Sequence, residues 1–223
     1  MEPNTKLCER MLSPYNLEVA VQNVKRNKGS AGVDGMGVEE IDRFMRDDWA
    51  RIREQILARK YKPKPVKRVE IPKDNGGVRL LGVPCVVDRV IQQAMVQVLT
   101  PVFEPTFSDF SYGFRPNRSA EDAVRKAQEY MAEGYSHVVD LDLSKFFDTV
   151  NHDLLMTFVD RTLDDKDIRR LIYVYLKSGV MADGSFTATE EGTPQGGLCL
   201  APHNPPYAEI DVMPTKAAQV LTS

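Results

Sequence analysis

The segment Val138-Val139-Asp140-Leu141-Asp142-Leu143-Ser144-Lys145-Phe146-Phe147-Asp148-Thr149-Val150 sets carboxylates at the end of an apolar, strand-like run. Burying such a strand end obliges the carboxylates to recover the hydration they lose. A divalent cation does this, and hard oxygen ligands suit Mg²⁺. The competing account makes each Asp a turn residue or helix cap. A second distinctive stretch runs from Arg59 to Arg79. Eight basic residues (Arg59, Lys60, Lys62, Lys64, Lys67, Arg68, Lys73, Arg79) stand there against two acidic ones, Glu70 and Asp74. Such a stripe is either the electrostatic footprint of phosphate binding or a solvated basic face.

The elements that must position these residues follow from periodicity and turn chemistry. Leu17, Ala20, Val21 and Val24 predict a helix ended by Asn27-Lys28-Gly29-Ser30, followed by a loop holding Gly29, Gly32, Gly35 and Gly37. Ile41, Met45, Trp49, Ile52 and Ile56 predict a long amphipathic helix, broken by Pro63 and Pro65. Val66 to Val83 reads as a β-hairpin turning at Asn75-Gly76-Gly77, which sets Lys73 and Arg79 on opposite sides of one tight turn. Val87, Val90, Ile91, Ala94, Met95 and Val98 form the buried stripe of a helix from about Val86 to Leu99. Ser119 is an N-cap for a further helix, with Asp122 at its third position. His137 to Leu143 reads as a short central strand, Asp153–Arg161 and Lys166–Leu176 as a helical pair, and Phe186–Thr189 as a strand. Helices and strands interleave without a βαβ rhythm, so the expected fold is α+β, an antiparallel sheet packed with helices.

Composition narrows the function classes less than the motifs do. The chain has 223 residues, 42% of them hydrophobic and 27% charged, as in an ordinary globular protein. Its net charge of −3 argues against nucleic-acid binding as a whole-chain number, whereas the Arg59–Arg79 stripe argues for it. No apolar run reaches the roughly 18 residues of a membrane span, and no signal-peptide pattern opens the chain. Cys8, Cys85 and Cys199 share no metal-like spacing and read as reduced thiols, so a cytoplasmic location with no membrane partner is the expectation.

Asp142-Leu143-Ser144-Lys145-Phe146-Phe147-Asp148-Thr149-Val150-Asn151-His152 resembles the first catalytic motif of group II intron-encoded reverse transcriptases/maturases. Further blocks stand in the order of that family. They are the Gly29–Gly35 loop, Ile71-Pro72-Lys73 with Val78–Pro84, Asp88-Arg89-Val90-Ile91-Gln92, Tyr112-Gly113-Phe114-Arg115-Pro116 and Gly192–Gly197. The resemblance spans about residues 15 to 197 and implies right-hand polymerase fingers and a truncated palm. It places a fingers-like region with N-terminal helices at 1–135 and a partial palm at 136–197, and the expectation for 198–223 is a divergent, frameshifted tail.

It also implies site residues. Asp142 would be the catalytic, Mg²⁺-binding carboxylate, with the Leu143 carbonyl as a second ligand. Asp142 fits better than Asp140 because Phe147, five residues on, then supplies an apolar sugar gate, where Asp140 would put Lys145. Lys73 and Arg79 would hold the incoming triphosphate, Gln195 would line the nascent base-pair pocket, and Arg115 would contact the template. Asp148, Asn151 and His152 match the family too, with turn formation and helix capping as their expected role. The implied partners are an RNA template and intron RNA, a DNA primer and deoxynucleoside triphosphates.

The pattern departs from the family after Gly197. No Tyr-Ala-Asp-Asp motif is present, and Tyr207-Ala208-Glu209-Ile210 follows too closely and lacks the paired aspartates. Pro202, Pro205 and Pro206 break the apolar helix expected there. The expectation is therefore an RNA-directed DNA polymerase fragment, inactive alone. The alternatives are a non-catalytic RNA-binding fragment or a reverse transcriptase of a retron or CRISPR system.

Overall fold

A computed structural model describes residues 6–72, 76–139, 146–182 and 184–193. The chain divides into two compact units: residues 1–102 with 145–200, and residues 103–144 with 201–223.

The first unit is built around a helix, Val86–Phe103, that is buried over most of its length. Among the described residues its helices are α1 (Leu7–Met11), α2 (Pro14–Asn27), α3 (Ile41–Asp47), α4 (Trp49–Leu57), α5 (Val86–Phe103, its last residue past the unit boundary), α7 (His152–Thr162) and α8 (Lys166–Leu176). The expected α5 stripe is buried at every position, from Val87 through Val98. Val86, Asp88 and Gln92 are buried as well, which leaves Arg89 as the one partly exposed residue over 86–92. A helix covered in this way needs partners on several sides. Leu17, Ala20, Val21 and Val24 of α2 are buried, as are Ile168, Leu171, Ile172 and Tyr175 of α8. Asp165 fixes the start of α8 by accepting from the Asp167 and Ile168 N–H groups, at 3.0 and 3.1 Å. Its other oxygen accepts from Cys8 N–H at 3.0 Å, so one carboxylate ties α1 to α8.

The long amphipathic helix expected over 41–56 is two helices. The break falls at Asp48, next to Asp47, where two side chains that compete for backbone hydrogen bonds weaken the helix. Ile41, Ile52 and Ile56 are still all buried.

The hairpin forms as expected. β1 (Val66–Pro72) pairs antiparallel with β2 (Val78–Val83), from Lys67 opposite Val83 to Pro72 opposite Val78. Gly76 and Gly77 take φ values of +78° and +92°, the region a tight hairpin turn requires. The sheet order is β2-β1-β3-β4, with β3 at Val180–Ala182 and β4 at Ser185–Thr187. β3 runs parallel to β1 while the other two pairings are antiparallel, so the sheet is largely antiparallel, as expected, with one parallel contact. A parallel pair needs a long crossover, and the chain from β2 through α8 supplies it.

The second unit, over residues 103–139, holds a turn at Glu104–Thr106, a loop, and α6 (Ala120–Ala132). Ser119 caps α6 through Asp122 N–H, while Asp122 reaches back to Ser119 N–H at 3.0 Å, completing the expected capping box. The strand expected over 137–143 is not seen at His137–Val139, where Val138 and Val139 are 90% and 71% exposed. These residues pair with no strand among the described residues, and a β-branched run without a neighbouring ladder has nothing to fix it in register. Residues 140–143 lie outside the described residues.

Candidate functional site

The hairpin base is braced from below. Asp88, on the first turn of α5, is 3% exposed, and its Oδ1 accepts from the Tyr61 and Tyr175 hydroxyls at 2.7 and 3.0 Å. Its Oδ2 accepts from Lys64 N–H at 3.3 Å. One carboxylate thus joins the linker before β1 to α5 and α8. Burial raises the Asp88 carboxyl to about 6, against the lowering pull of the two tyrosines and the Lys64 N–H. Tyr61 and Tyr175 are pushed above the usual phenol range, mainly by burial and then by the Asp88 charge.

The glycine loop is the second brace. Arg89 donates to the carbonyls of Lys28 and Ser30 at 3.2 and 2.5 Å. A Cβ on Gly32 would stand 2.7 Å from both Cα and N of Cys85, so the loop lies directly on the chain entering α5. Asp34 pairs with Lys64 Nζ at 3.1 Å. Burial works to raise the Asp34 carboxyl, but hydrogen bonds from Lys64, the Cys85 thiol and Met36 N–H hold it below the usual value.

Along the basic stripe the structure sorts the cations by partner. Lys64 is tied to Asp34 and Arg59 to Asp167, at 3.1 and 2.6 Å. Lys60, Lys62, Lys67 and Arg68 are exposed. Arg79 stands opposite Ile71 in the hairpin register, and Lys73 lies outside the described residues.

Downstream of the first motif, Phe146–Asp148 form a single helical turn and Asn151 caps α7 by accepting from Leu154 N–H at 2.9 Å. Phe147 is 38% exposed. Between this turn and α7 the chain holds the segment that enters Pro194-Gln195-Gly196-Gly197. Thr193 N–H donates to the Phe147 carbonyl at 2.6 Å, and Gly192 N–H to the Val150 carbonyl at 2.8 Å. His152 Nε2 lies 2.6 Å from the Gly192 carbonyl oxygen. Gly192 has φ +81°, and a Cβ there would meet the Asp148 carbonyl oxygen at 2.7 Å. The first motif and the Gly192-Thr193 segment are therefore linked through the backbone of residues 147–150 and one imidazole. Asp142, Leu143 and Gln195 lie outside the described residues.

Arg115 belongs to the second unit and is 8% exposed. Its Nε and Nη2 donate to Glu104 Oε1 at 3.1 and 2.9 Å, and its Nη1 donates to the carbonyls of Ser108 and Ser111. Its guanidinium also lies 5.1 Å from the Phe107 ring centroid. These contacts organise the loop from inside. Phe114 beside it has φ +54° and is 88% exposed.

Sequence reasoning missed the Asp88–Tyr61–Tyr175 cluster and the His152–Gly192 link. Asp88 and His152 were visible as motif residues, but their partners lie 27, 87 and 40 positions away in sequence. Among the described residues no three His, Cys, Asp or Glu side chains gather as an ion site, and no helix is long and apolar enough to cross a membrane.

Residues 71–203 match the family model described as reverse transcriptase (RNA-dependent DNA polymerase). Protein YkfC of Escherichia coli K12 is 36% identical over 199 residues, covering 86% of this chain and 52% of YkfC. The group II intron-encoded protein LtrA of Lactococcus lactis is 34% identical over 195 residues, covering 87% of this chain and 32% of LtrA. The chain thus spans about half of one relative and a third of the other. A chain in a partial Cas6-RT-Cas1–Cas2 complex superposes with a TM-score of 0.56 at 21% identity, covering 87% of this chain and 32% of that one. At that identity the likeness is one of fold.

Proposed function

This chain belongs to the reverse transcriptase (RNA-dependent DNA polymerase) family, and from that premise we propose that it holds nucleotide and template for RNA-directed DNA synthesis of the group II intron type. The observation that carries the reading is the linkage of residues 147–152 to Gly192 and Thr193, with bonds of 2.6, 2.8 and 2.6 Å. It sets the Phe147 backbone against Thr193, the residue before Pro194 in sequence. A nucleotide lying against both Phe147 and Gln195 would have its sugar read by one and its base pair by the other.

In this reading the β1–β2 hairpin presents Lys73 and Arg79 to the triphosphate. The exposed Lys60, Lys62, Lys67 and Arg68 add attraction for nucleic-acid phosphates. Arg115 supports a template-facing loop whose outward residue is Phe114. The family generally uses divalent metal ions. That the ion is Mg²⁺, held by the Asp142 carboxylate and the Leu143 carbonyl, is part of the proposal, as are the RNA template, intron RNA, DNA primer and deoxynucleoside triphosphates. In the complete family two such ions would together activate the primer 3′-hydroxyl and steady the leaving pyrophosphate, and Asp142 would supply one of their carboxylates. The 223 residues contain no Tyr-Ala-Asp-Asp motif, so the proposal assigns them one metal carboxylate and not the second pair.

The test is Mg²⁺-dependent primer extension on an RNA template by a complete homologous enzyme, comparing ribo- with deoxynucleotides, with the substitutions made at the positions that match Phe147 and Asp142. A ring against the sugar C2′ leaves no space for a 2′-hydroxyl. Phe147→Ala is therefore expected to raise relative ribonucleotide incorporation about 10- to 100-fold, the usual reach of a steric pocket wall. An unchanged ratio removes Phe147 from the gate. RNA binding by this chain with steep salt dependence, together with no effect of Asp142→Ala on extension by the complete enzyme, would replace the catalytic reading with a binding one.

A further inference from the structure

We propose that the outward groove between α7 and α8 docks a single strand of RNA, held by two phosphates, a stacked base and a ribose hydroxyl. None of the residues lining it has a role in the nucleotide and template contacts above, so the inference goes beyond that reading. The groove encloses about 490 Å³ and is open to solvent. α7 supplies Asp153, Met156, Thr157 and Asp160, and α8 supplies Lys166, Arg169, Arg170 and Tyr173. Each set has the i, i+3, i+4, i+7 spacing of a single helix face. On α8 it is the face away from the core, which takes Ile168, Leu171, Ile172 and Tyr175. Arg59 closes one side. Its carbonyl accepts from Arg170 Nε and Nη2 at 3.2 and 2.8 Å, and its guanidinium pairs with Asp167 at 2.6 Å.

A groove that only solvated its charges would need neither an aromatic floor nor unmatched cations. Here a single ion pair, Arg169–Asp160 at 3.1 Å, bridges the two walls. Lys166 and Arg170 have no carboxylate partner and Asp153 has no cation, among the described residues. One turn from the bridge on each helix stand Met156 and Tyr173, the tyrosine 42% exposed. An exposed ring between unpaired cations can take a base on its face while the cations take the flanking phosphates. Asp153 selects the sugar. A free carboxylate repels a phosphate backbone unless it accepts from a donor, and the 2′-hydroxyl is the donor that RNA has and DNA lacks. The open form of the groove suits a strand that runs past it, and from Arg59 the chain continues into Lys60 and Lys62, both exposed.

The test reads binding by this chain and needs no DNA synthesis, so failure of the polymerase reading leaves it intact. The probes are a labelled oligouridylate, the matching deoxyuridine oligonucleotide and free uridine 5′-monophosphate, each titrated over a salt series. Melting temperatures show that each variant is folded. Removing two phosphate contacts in the double variant Lys166→Ala, Arg170→Ala should flatten the plot of log Kd against log salt by about 1.4 for RNA. Arg43→Ala with Arg46→Ala, equal in charge and exposed on α3, should leave that slope alone. Tyr173→Ala should weaken RNA binding about 5- to 100-fold with the slope unchanged, and Tyr173→Phe should keep native affinity. Asp153→Ala should lower the preference for RNA over DNA about fivefold. An unchanged slope in the Lys166, Arg170 variant, or an equal change in the α3 variant, overturns the site in favour of a general basic field. Equal affinity of the native chain for RNA and DNA overturns the ribose contact. The monophosphate binding as tightly as the strand overturns strand docking in favour of a small-molecule site.

Discussion

Asp88→Ala should lower the stability of the first unit by about 3 kcal/mol at neutral pH, the largest effect expected of a single side chain here. The substitution leaves two tyrosine hydroxyls and the Lys64 N–H facing a buried space with no acceptor. Each orphaned donor costs about 1–3 kcal/mol, partly offset because a buried charge disappears with it. Asp88→Asn should cost less, about 1 kcal/mol, since an amide oxygen can still accept from one side and its NH₂ can donate to the tyrosine oxygens on the other. The measurement is the urea midpoint of each variant with its slope. A loss below about 0.5 kcal/mol in Asp88→Ala, the range of an ordinary surface change, would show that the cluster does not brace the hairpin.

The same residue gives a pH dependence whose sign can be worked out. The Asp88 carboxyl is raised from 3.8 to about 6 in the folded chain. Between those values the folded state binds a proton that the unfolded state has released, so its contribution grows as pH falls from about 7 to about 4 and levels off below. At full extent this is worth about 3 kcal/mol. Asp34, lowered in the folded state, works in the opposite direction over the acid range. The difference between native and Asp88→Asn stability, followed from pH 7 to pH 4, isolates the first effect. It should widen in favour of the native chain as pH falls, and a flat difference would mean that Asp88 titrates normally.

These two residues also show where the sequence was legible and where it was not. The hairpin, α5 and the α6 capping box could be read because each is announced locally: alternation around Asn75-Gly76-Gly77, an apolar period on Val87–Val98, and Ser119 with Asp122. The motif order could be read for the same reason. What could not be read was pairing at long range. The parallel contact of β3 with β1 joins Val66 to Val180, and no local pattern specifies a partner 114 positions away. Val138 and Val139 carry strong strand propensity, yet propensity reflects fit to a neighbouring ladder, and none reaches them among the described residues. Arg115 was legible as a motif residue but not as a buried one. Its engagement by Glu104 and two carbonyls depends on a loop fold that spacing does not encode.

Gly32→Ala tests the other brace, and the neighbouring Gly35 supplies the comparison. The Gly32 Cβ would lie 2.7 Å from Cα and N of Cys85 and 2.8 Å from its Sγ, and two of those atoms are backbone at the entrance to α5. Neither can rotate away as a flexible side chain would, so the loop must lift. Lifting it strains the Arg89 bonds to Lys28 and Ser30 and the Asp34–Lys64 pair at once. The expected loss is about 2–3 kcal/mol, the range of overpacking in a closely fitted site. Gly35 sits at φ +73° with open space around its Cβ position, so Gly35→Ala should cost only the backbone term of about 1–2 kcal/mol. Denaturation midpoints rank the two. Because Lys64 sits two residues before β1, the Gly32 variant should also loosen the hairpin, seen as faster amide exchange at Val66–Val69, and the Gly35 variant should not. If both variants lose equal stability and leave those amides alike, the glycine loop is a surface turn with no hold on the hairpin. If only Gly32→Ala frees the strand, the loop is what keeps the β1–β2 hairpin at a fixed angle on α5.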